Sequence, residues 1–287
     1  MRWQNRERSK NVEDHRRGRG RVVRRVGGGI GIGAIIFAII AMLMGENPLK
    51  VLQQFQPEES PVVVQDSRSN TQEDVLADFV SVVLKETEDV WSKVFREQLG
   101  KTYYPPKLVL YSGYDQSGCG VAQSATGPFY CPADQKVYID LSFFRDLQRR
   151  FKVSGDFAMA YIIAHEVGHH VQNLLGITNE VERMRRRMSR TEGNKLSVRL
   201  ELQADFLAGV WAHYTQKMHN ILEKGDIEEA LNAASAVGDD RIQRRAQGYI
   251  VPDAFTHGTS AQRMRWFKKG WVTGDLSKGD TFGTNNL

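Results

Sequence analysis

The run Ala164-His165-Glu166-Val167-Gly168-His169-His170 constrains this chain more than any other stretch. Histidines four residues apart lie on one face of a helix, one turn above the other. A helix carrying them can offer both imidazoles to a single metal ion. Glu166, one position after the first imidazole, is turned about 100° round the helix axis. From there its carboxylate can reach a water on that metal without becoming a ligand. Ala160, Ile163, Val167, Val171 and Leu174 mark an apolar face, with Tyr161, His165, His169 and Gln172 opposite. Asp156 stands where a cap belongs, and Gly176 occupies the favoured position just past the helix end. His is scarce here, 7 in 287 residues, so the pattern seldom arises by chance; a third ligand is what would complete it.

Glu201 and Asp205, four apart on one helical face, begin 32 residues after His169. A lone Glu on a helix is commonly solvated, and Asp205 could pair with an Arg one turn away. The neighbours argue for more. Leu200, Leu202, Phe206 and Leu207 make this helix largely buried, and Ala204, Ala208 and Gly209 let another helix come close. A carboxylate facing such a contact needs a partner, and a metal ion is a good one. Gly168 agrees, since Gly within a helix costs ~1 kcal/mol relative to Ala and marks close packing where it is kept. His165, His169 and Glu201 with an open fourth position make the ligand set of a catalytic zinc site. Asp205 would then accept the second N–H of an imidazole and fix its orientation.

The rest of the chain supplies the setting. With 41% hydrophobic and 25% charged residues it has the make-up of a globular protein. Its net charge of +5 misleads: residues 1–45 hold ten Arg and Lys against three acidic residues, so the other 242 sum to −2. The folded part therefore carries no nucleic-acid footprint. Residues 1–25 read as a basic cytoplasmic tail. Residues 26–45 are 20 uncharged positions, long enough to span a bilayer and longer than the core of a signal peptide, a cleaved signal being the alternative. Basic residues crowd the N-terminal flank, which predicts a single-pass membrane anchor with a cytoplasmic N-terminus and everything after residue 45 outside. Residues 46–72, with Pro48, Pro57 and Pro61, read as a linker.

Residues 73–287 then form one domain. Periodicity predicts a helix over 72–99, strands at 108–111 and 137–141, a short helix from Ser142, and the histidine-bearing helix over 157–175. Further on come a solvated Arg-rich face over 183–190, the helix with Glu201, a single helix over 226–246, a loop at 252–260 and a last helix over 261–271. The fold class is α+β, mostly helical with a small β-sheet. Cys119 and Cys131 suit one bridge in an oxidising compartment or two unrelated thiols in a reducing one. With the domain outside the cell they should be bridged, closing a loop worth about 3 kcal/mol.

The pairing of His-Glu-x-x-His with Glu-x-x-x-Asp on a later helix is similar to the thermolysin-like gluzincin peptidases. More closely, the chain resembles the bacterial neutral zinc metallopeptidase family of the YpfJ type. The resemblance runs through Met1-Arg-Trp-Gln4, Asn11-Val-Glu-Asp14, Gly118-Cys-Gly120, Gly127-Pro-Phe-Tyr-Cys-Pro132, Val137-Tyr-Ile-Asp-Leu141, Ala164–His170, Glu201-Leu-Gln-Ala-Asp205 and Phe255-Thr-His-Gly-Thr-Ser260. It implies a zincin-like domain with His165, His169 and Glu201 as ligands of Zn2+ and Glu166 as the catalytic residue. Some members carry a Cys after the Glu-x-x-x-Asp sequence and another near the C-terminus, where this chain has Phe206 and about Gly279.

The chemistry implied is peptide hydrolysis by a metal-bound water, with Glu166 as general base. An oxyanion-stabilising group is also needed, worth about 2.7–4 kcal/mol by its usual deletion cost. His257, in a Gly- and Thr-rich loop, is the candidate; Arg263 and Tyr161 are weaker ones, and a cap on the last helix is the competing role for His257. His170, His213 and His219 read as packing or surface residues. Strand 137–141 is expected along the cleft, where an edge could pair with an extended peptide or protein substrate. The location implied is the bacterial inner membrane with the domain extracytoplasmic. A membrane-anchored, non-catalytic metal scaffold or a zinc hydrolase of non-peptide amides are the competing functions. Oligomeric state is not legible.

Overall fold

The computed structural model describes residues 1–16, 71–151 and 153–287. The expected membrane span at 26–45, and the linker up to residue 70, lie outside the described residues. Among the described residues no helix is long and apolar enough to cross a membrane.

Strand β1 (Val12–Asp14) comes first, followed by helix α1 (Thr71–Val94). A π-helical stretch, Phe95–Leu99, extends α1 and stops at Gly100, left-handed at φ 62° as the sequence required. Strand β2 (Lys107–Tyr111), hairpin β3 (Tyr114–Ser117) and β4 (Gly120–Gln123), β5 (Phe129–Cys131) and β6 (Lys136–Asp140) form the β part. The remainder is helical: α2 (Ser142–Phe151), α3 (Asp156–Leu174), α4 (Ile177–Arg185), α5 (Arg190–His219), α6 (Asp226–Ala236), α7 (Asp239–Gln247) and α8 (Ser260–Thr273). The α+β, mostly helical class holds.

The main sheet runs in the order β1-β2-β6-β5, with β1, β2 and β6 parallel and β5 antiparallel to β6. Leu108 lies opposite Val137 and Leu110 opposite Ile139, and all four point into the helical core. The alternate residues Val109, Tyr111 and Tyr138 meet Ala122 and Cys131 beneath the hairpin in a second, small cluster. Both faces of β2 and β6 are thus covered, which explains their nearly unbroken apolar runs. Strand β6 is internal, not the free edge expected for 137–141. The edge on that side is β5.

Helices α5 and α8 cross with their backbones in close contact. A Cβ on Gly209 would stand 2.1 Å from the Phe267 carbonyl oxygen, and one on Gly270 2.0 Å from that of Phe206. Only glycine pairs allow this crossing. The expected single helix over 226–246 is two, α6 and α7, broken at Gly238, whose backbone is extended (φ −71°, ψ 139°) and where a Cβ would lie 2.4 Å from the Ser260 nitrogen. Asp156 is not the cap of α3. That position belongs to Gly155, and the Asp156 carboxylate takes the Met1 ammonium at 2.6 Å instead.

The first 16 residues are part of this body, and the expectation of a solvated tail fails for them. Met1 is 5% exposed, Trp3 packs edge-on to Phe79 at 5.3 Å, and Arg6 pairs with the buried Glu86 at 2.6 Å. Strand β1 lies in register with β2, Val12 opposite Leu108, and Glu13 is bound by both Lys107 and Lys136. Segments hydrogen-bonded in one sheet occupy one side of any membrane. Residues 1–16 and the sheet of the domain therefore lie together.

If residues 1–16 belong to the core, Trp3→Ala should lower stability by about 1–3 kcal/mol in urea denaturation, whereas a change in a solvated tail stays within about 0.5 kcal/mol.

Candidate metal centre

Helices α3 and α5 pack side by side because of Gly168. A Cβ there would lie 3.1 Å from the Ala204 carbonyl oxygen and 3.3 Å from its Cα. That contact brings the histidine face of α3 against the Glu201 turn of α5. His165 Nε2 stands 3.1 Å from Glu201 Oε2, and His169 Nε2 stands 3.4 Å from Glu201 Oε1. The three residues offer ligand atoms within 4.8 Å of one another. Donors bonded to one tetrahedral zinc at about 2.0–2.1 Å sit roughly 3.3 Å apart, so the spacing present fits that ion. The donor chemistry, two imidazoles and one carboxylate, fits it too.

Each imidazole has its other nitrogen fixed. His165 Nδ1–H donates to Asp205 Oδ1 at 2.9 Å, and His169 Nδ1–H donates to Gln172 Oε1 at 2.8 Å. Both rings therefore aim Nε2 at Glu201 and the point between them. Gln172, fully buried, is held in turn by donating to Leu200 O at 2.7 Å and Gln203 Oε1 at 3.1 Å. Asp205 is 0% exposed. Arg263 of α8 reaches it with Nε at 2.8 Å and Nη2 at 2.9 Å, and Tyr161 donates its hydroxyl to the same carboxylate. Asp205 thus meets an imidazole and an Arg, and that Arg comes from a different helix, not from the next turn of its own. Arg263 and Tyr161, the weaker oxyanion candidates, both hydrogen-bond Asp205 and each other.

The electrostatics call for a cation. Burial would depress the His165 imidazole, but Asp205 and Glu201 outweigh it and raise it to about 10. Burial also works against charge on His169, and Glu201 reverses that. Glu201 itself, against burial, is held well below the usual carboxylate range by His169, His257 and His165. A pocket whose carboxylates draw protons onto its imidazoles is one that a divalent ion would neutralise.

Glu166 points elsewhere, as its place on the helix requires. Its Oε2 accepts the backbone N–H of Tyr130 in β5 at 2.8 Å, and burial pushes its carboxyl upward from the ordinary value. His257 stands close enough to lower Glu201, with its side chain one-third exposed. It does not cap α8; Thr259 does, in a capping box with Gln262. The loop before it is wrapped on Asp239, whose Oδ2 accepts from the backbones of Thr256, His257 and Gly258 at 2.7, 2.6 and 3.0 Å. His170 is a packing residue, bonded to Tyr130 Oη at 3.0 Å and Tyr104 O at 2.7 Å.

Sequence reasoning missed Tyr130 and Asp239 as supports, and saw Gln172 only as one residue on the polar face. The signal for Gln172 was there: it lies three residues after His169, on the same side of the helix. Nothing local marks Tyr130, because its contribution is a backbone N–H. Cys119 and Cys131 are bridged, with Cα atoms 5.7 Å apart. A Cβ on Gly279 would lie 2.5 Å from the Phe206 ring, which fills that place.

The family model described as "Putative neutral zinc metallopeptidase" matches residues 1–282. The chain is 50% identical over 292 residues to the protein YpfJ of Escherichia coli, covering 99% of each. It is 41% identical over 260 residues to Rv2575 of Mycobacterium tuberculosis, covering 86% of each. No solved structure matches.

Two substitutions test the arrangement. Glu201→Ala should abolish stoichiometric zinc binding, because two imidazoles alone hold the ion weakly. Asp205→Asn should weaken binding by about 10–100-fold, the usual effect of losing an outer-sphere partner. Competition against a chelator reads both, and full zinc in Glu201→Ala would send the search for the third ligand elsewhere.

Proposed function

The chain belongs to the neutral zinc metallopeptidase family, and on that premise we propose that it hydrolyses peptide bonds, with His165, His169 and Glu201 holding zinc and Glu166 as general base. The observation that carries this reading is Glu166. A purely structural zinc site needs no additional carboxylate, yet this one sits beside the ligand triad, held off the ligand positions by the Tyr130 N–H. Zinc, when bound, lowers the pKa of a water towards neutrality and polarises the scissile carbonyl. Glu166 accepts the proton of the attacking water and passes it to the leaving amine. A base held in that geometry is worth about 10²–10⁴ in rate.

His257 is the proposed oxyanion donor. Its Nδ1 faces Thr256 Oγ1 at 2.9 Å and Asp239 at 3.4 Å, which leaves Nε2 as the ring nitrogen for substrate. Burial would discharge it; Glu201 first, then Asp239, favour the charged form. An extended peptide would lie along β5, the sheet edge beside α3, as strand addition to an edge.

The bridged cysteines support an oxidising, extracytoplasmic setting. The uncharged run at 26–45 supports attachment to the bacterial cytoplasmic membrane. The sheet shared by residues 1–16 and the domain supports one side of the membrane for both.

Purified full-length protein loaded with zinc should cleave casein, and Glu166→Ala should keep its zinc and its unfolding midpoint while losing about 10²-fold or more in kcat. Undiminished hydrolysis by Glu166→Ala would sink the mechanism; hydrolysis of small amides but not casein would redirect the substrate class.

A further inference from the structure

Strand β5 is three residues long and carries the N–H that holds the catalytic base. So short a strand does not keep its place by pairing alone. Its antiparallel partner β6 meets it at Phe129–Tyr138, Tyr130–Val137 and Cys131–Lys136. Two further attachments hold it. On the helical side the Tyr130 hydroxyl meets His170 Nδ1 and accepts from Asn173 Nδ2, both at 3.0 Å. His170 and Asn173 lie on α3, the helix of the metal ligands. On the other side Cys131, fully buried in the small cluster under the hairpin, is bonded to Cys119 in the turn between β3 and β4.

We propose that the Cys119–Cys131 bridge and Tyr130 together position the general base: the bridge fixes β5, β5 presents its backbone N–H, and Glu166 is held by that N–H off the metal ligands. This rests on the peptidase reading of the site. Tyr130 is a positioning residue, acting through Glu166. The histidine pair does not depend on it, because His165 is oriented by Asp205 of α5, itself held by Arg263 of α8, and His169 by Gln172 of its own helix. Opening the bridge therefore separates two properties that unfolding would remove together. The metal stays and turnover falls.

The bridge is open to attack from one end. Cys119 is exposed and Cys131 is not, so an external thiolate approaches the Cys119 sulfur. A dithiol such as dithiothreitol supplies two electrons and two protons. The S–S bond breaks, two cysteine thiols form, and the dithiol closes to its own cyclic disulfide.

The test compares zinc-loaded full-length protein in three states: oxidised, reduced with dithiothreitol (the free reductant then removed), and reoxidised. Cys119→Ser serves as a fourth sample that needs no reductant and leaves the buried Cys131 in place. Amide exchange of the segment 127–133 should speed up about 10-fold or more on reduction, while that of 160–172 stays within a factor of about 2. Zinc affinity should change less than about 3-fold, whereas kcat on a peptide falls about 10-fold or more and returns on reoxidation. Tyr130→Phe, which keeps the N–H and removes the hydroxyl contacts, should lose less than Cys119→Ser. Unchanged exchange at 127–133, unchanged kcat, or loss of zinc in step with kcat would each overturn the proposal. If oxidised protein holds zinc but cleaves no peptide, the peptidase reading fails instead, and the exchange and zinc measurements still decide whether the bridge holds β5 independently of the metal.

Discussion

A single fully buried carboxylate organises this molecule. Asp205 is inaccessible, and an ionised group in that position is tolerable only if nearly every lone pair is engaged. It meets His165 from α3, Tyr161 from the same helix, and two nitrogens of Arg263 from α8. Three helices are thereby fixed around one side chain. Removing one member of such a buried pair costs about 3–5 kcal/mol, since the other is left charged and alone. The same contacts set the His165 tautomer, so the part that holds the fold together also aims the metal ligand.

Glycine makes that network possible. Gly168 admits α5 against α3, and the facing pair Gly209 and Gly270 admits α8 against α5. Each replaces side-chain volume with backbone contact, and the sum is an approach close enough for Arg263 to reach across. These residues do no chemistry, yet the geometry of the metal site follows from them.

A second anchorage lies at the far end of α3. The Met1 ammonium sits between Asp156 and Asp226, with Glu223 at 3.3 Å, and its charge offsets the mutual repulsion of that acidic cluster. Glu229 in the same cluster accepts the Phe157 N–H at the start of the helix. Strand β1, a few residues on, completes the sheet edge opposite β5. The helix with the candidate metal ligands is thus held at its beginning by the chain's first residues and at Glu166 by β5.

The sequence by itself determined the spacing of the candidate ligands and the local elements. Helical spacing put His165 and His169 on one face, Glu201 and Asp205 on another, and Gly168 between them, because a 3.6-residue period is readable without partners. The helix stops at Gly100 and Gly176 were legible for the same reason. Tertiary structure decided whatever depends on residues far apart in the chain. Arg263 lies 58 positions from Asp205, so its capture of that carboxylate carried no local sign. Residues 1–16 read as a tail because three-residue strands and scattered arginines show no period; only pairing with β2 makes them structure. The break at Gly238 was hidden because an amphipathic pattern continues across it, and the Ser260 backbone that closes on Gly238 belongs to another helix. Which strand forms the edge beside the base was decided by sheet order, a property of the assembled sheet that no single strand encodes.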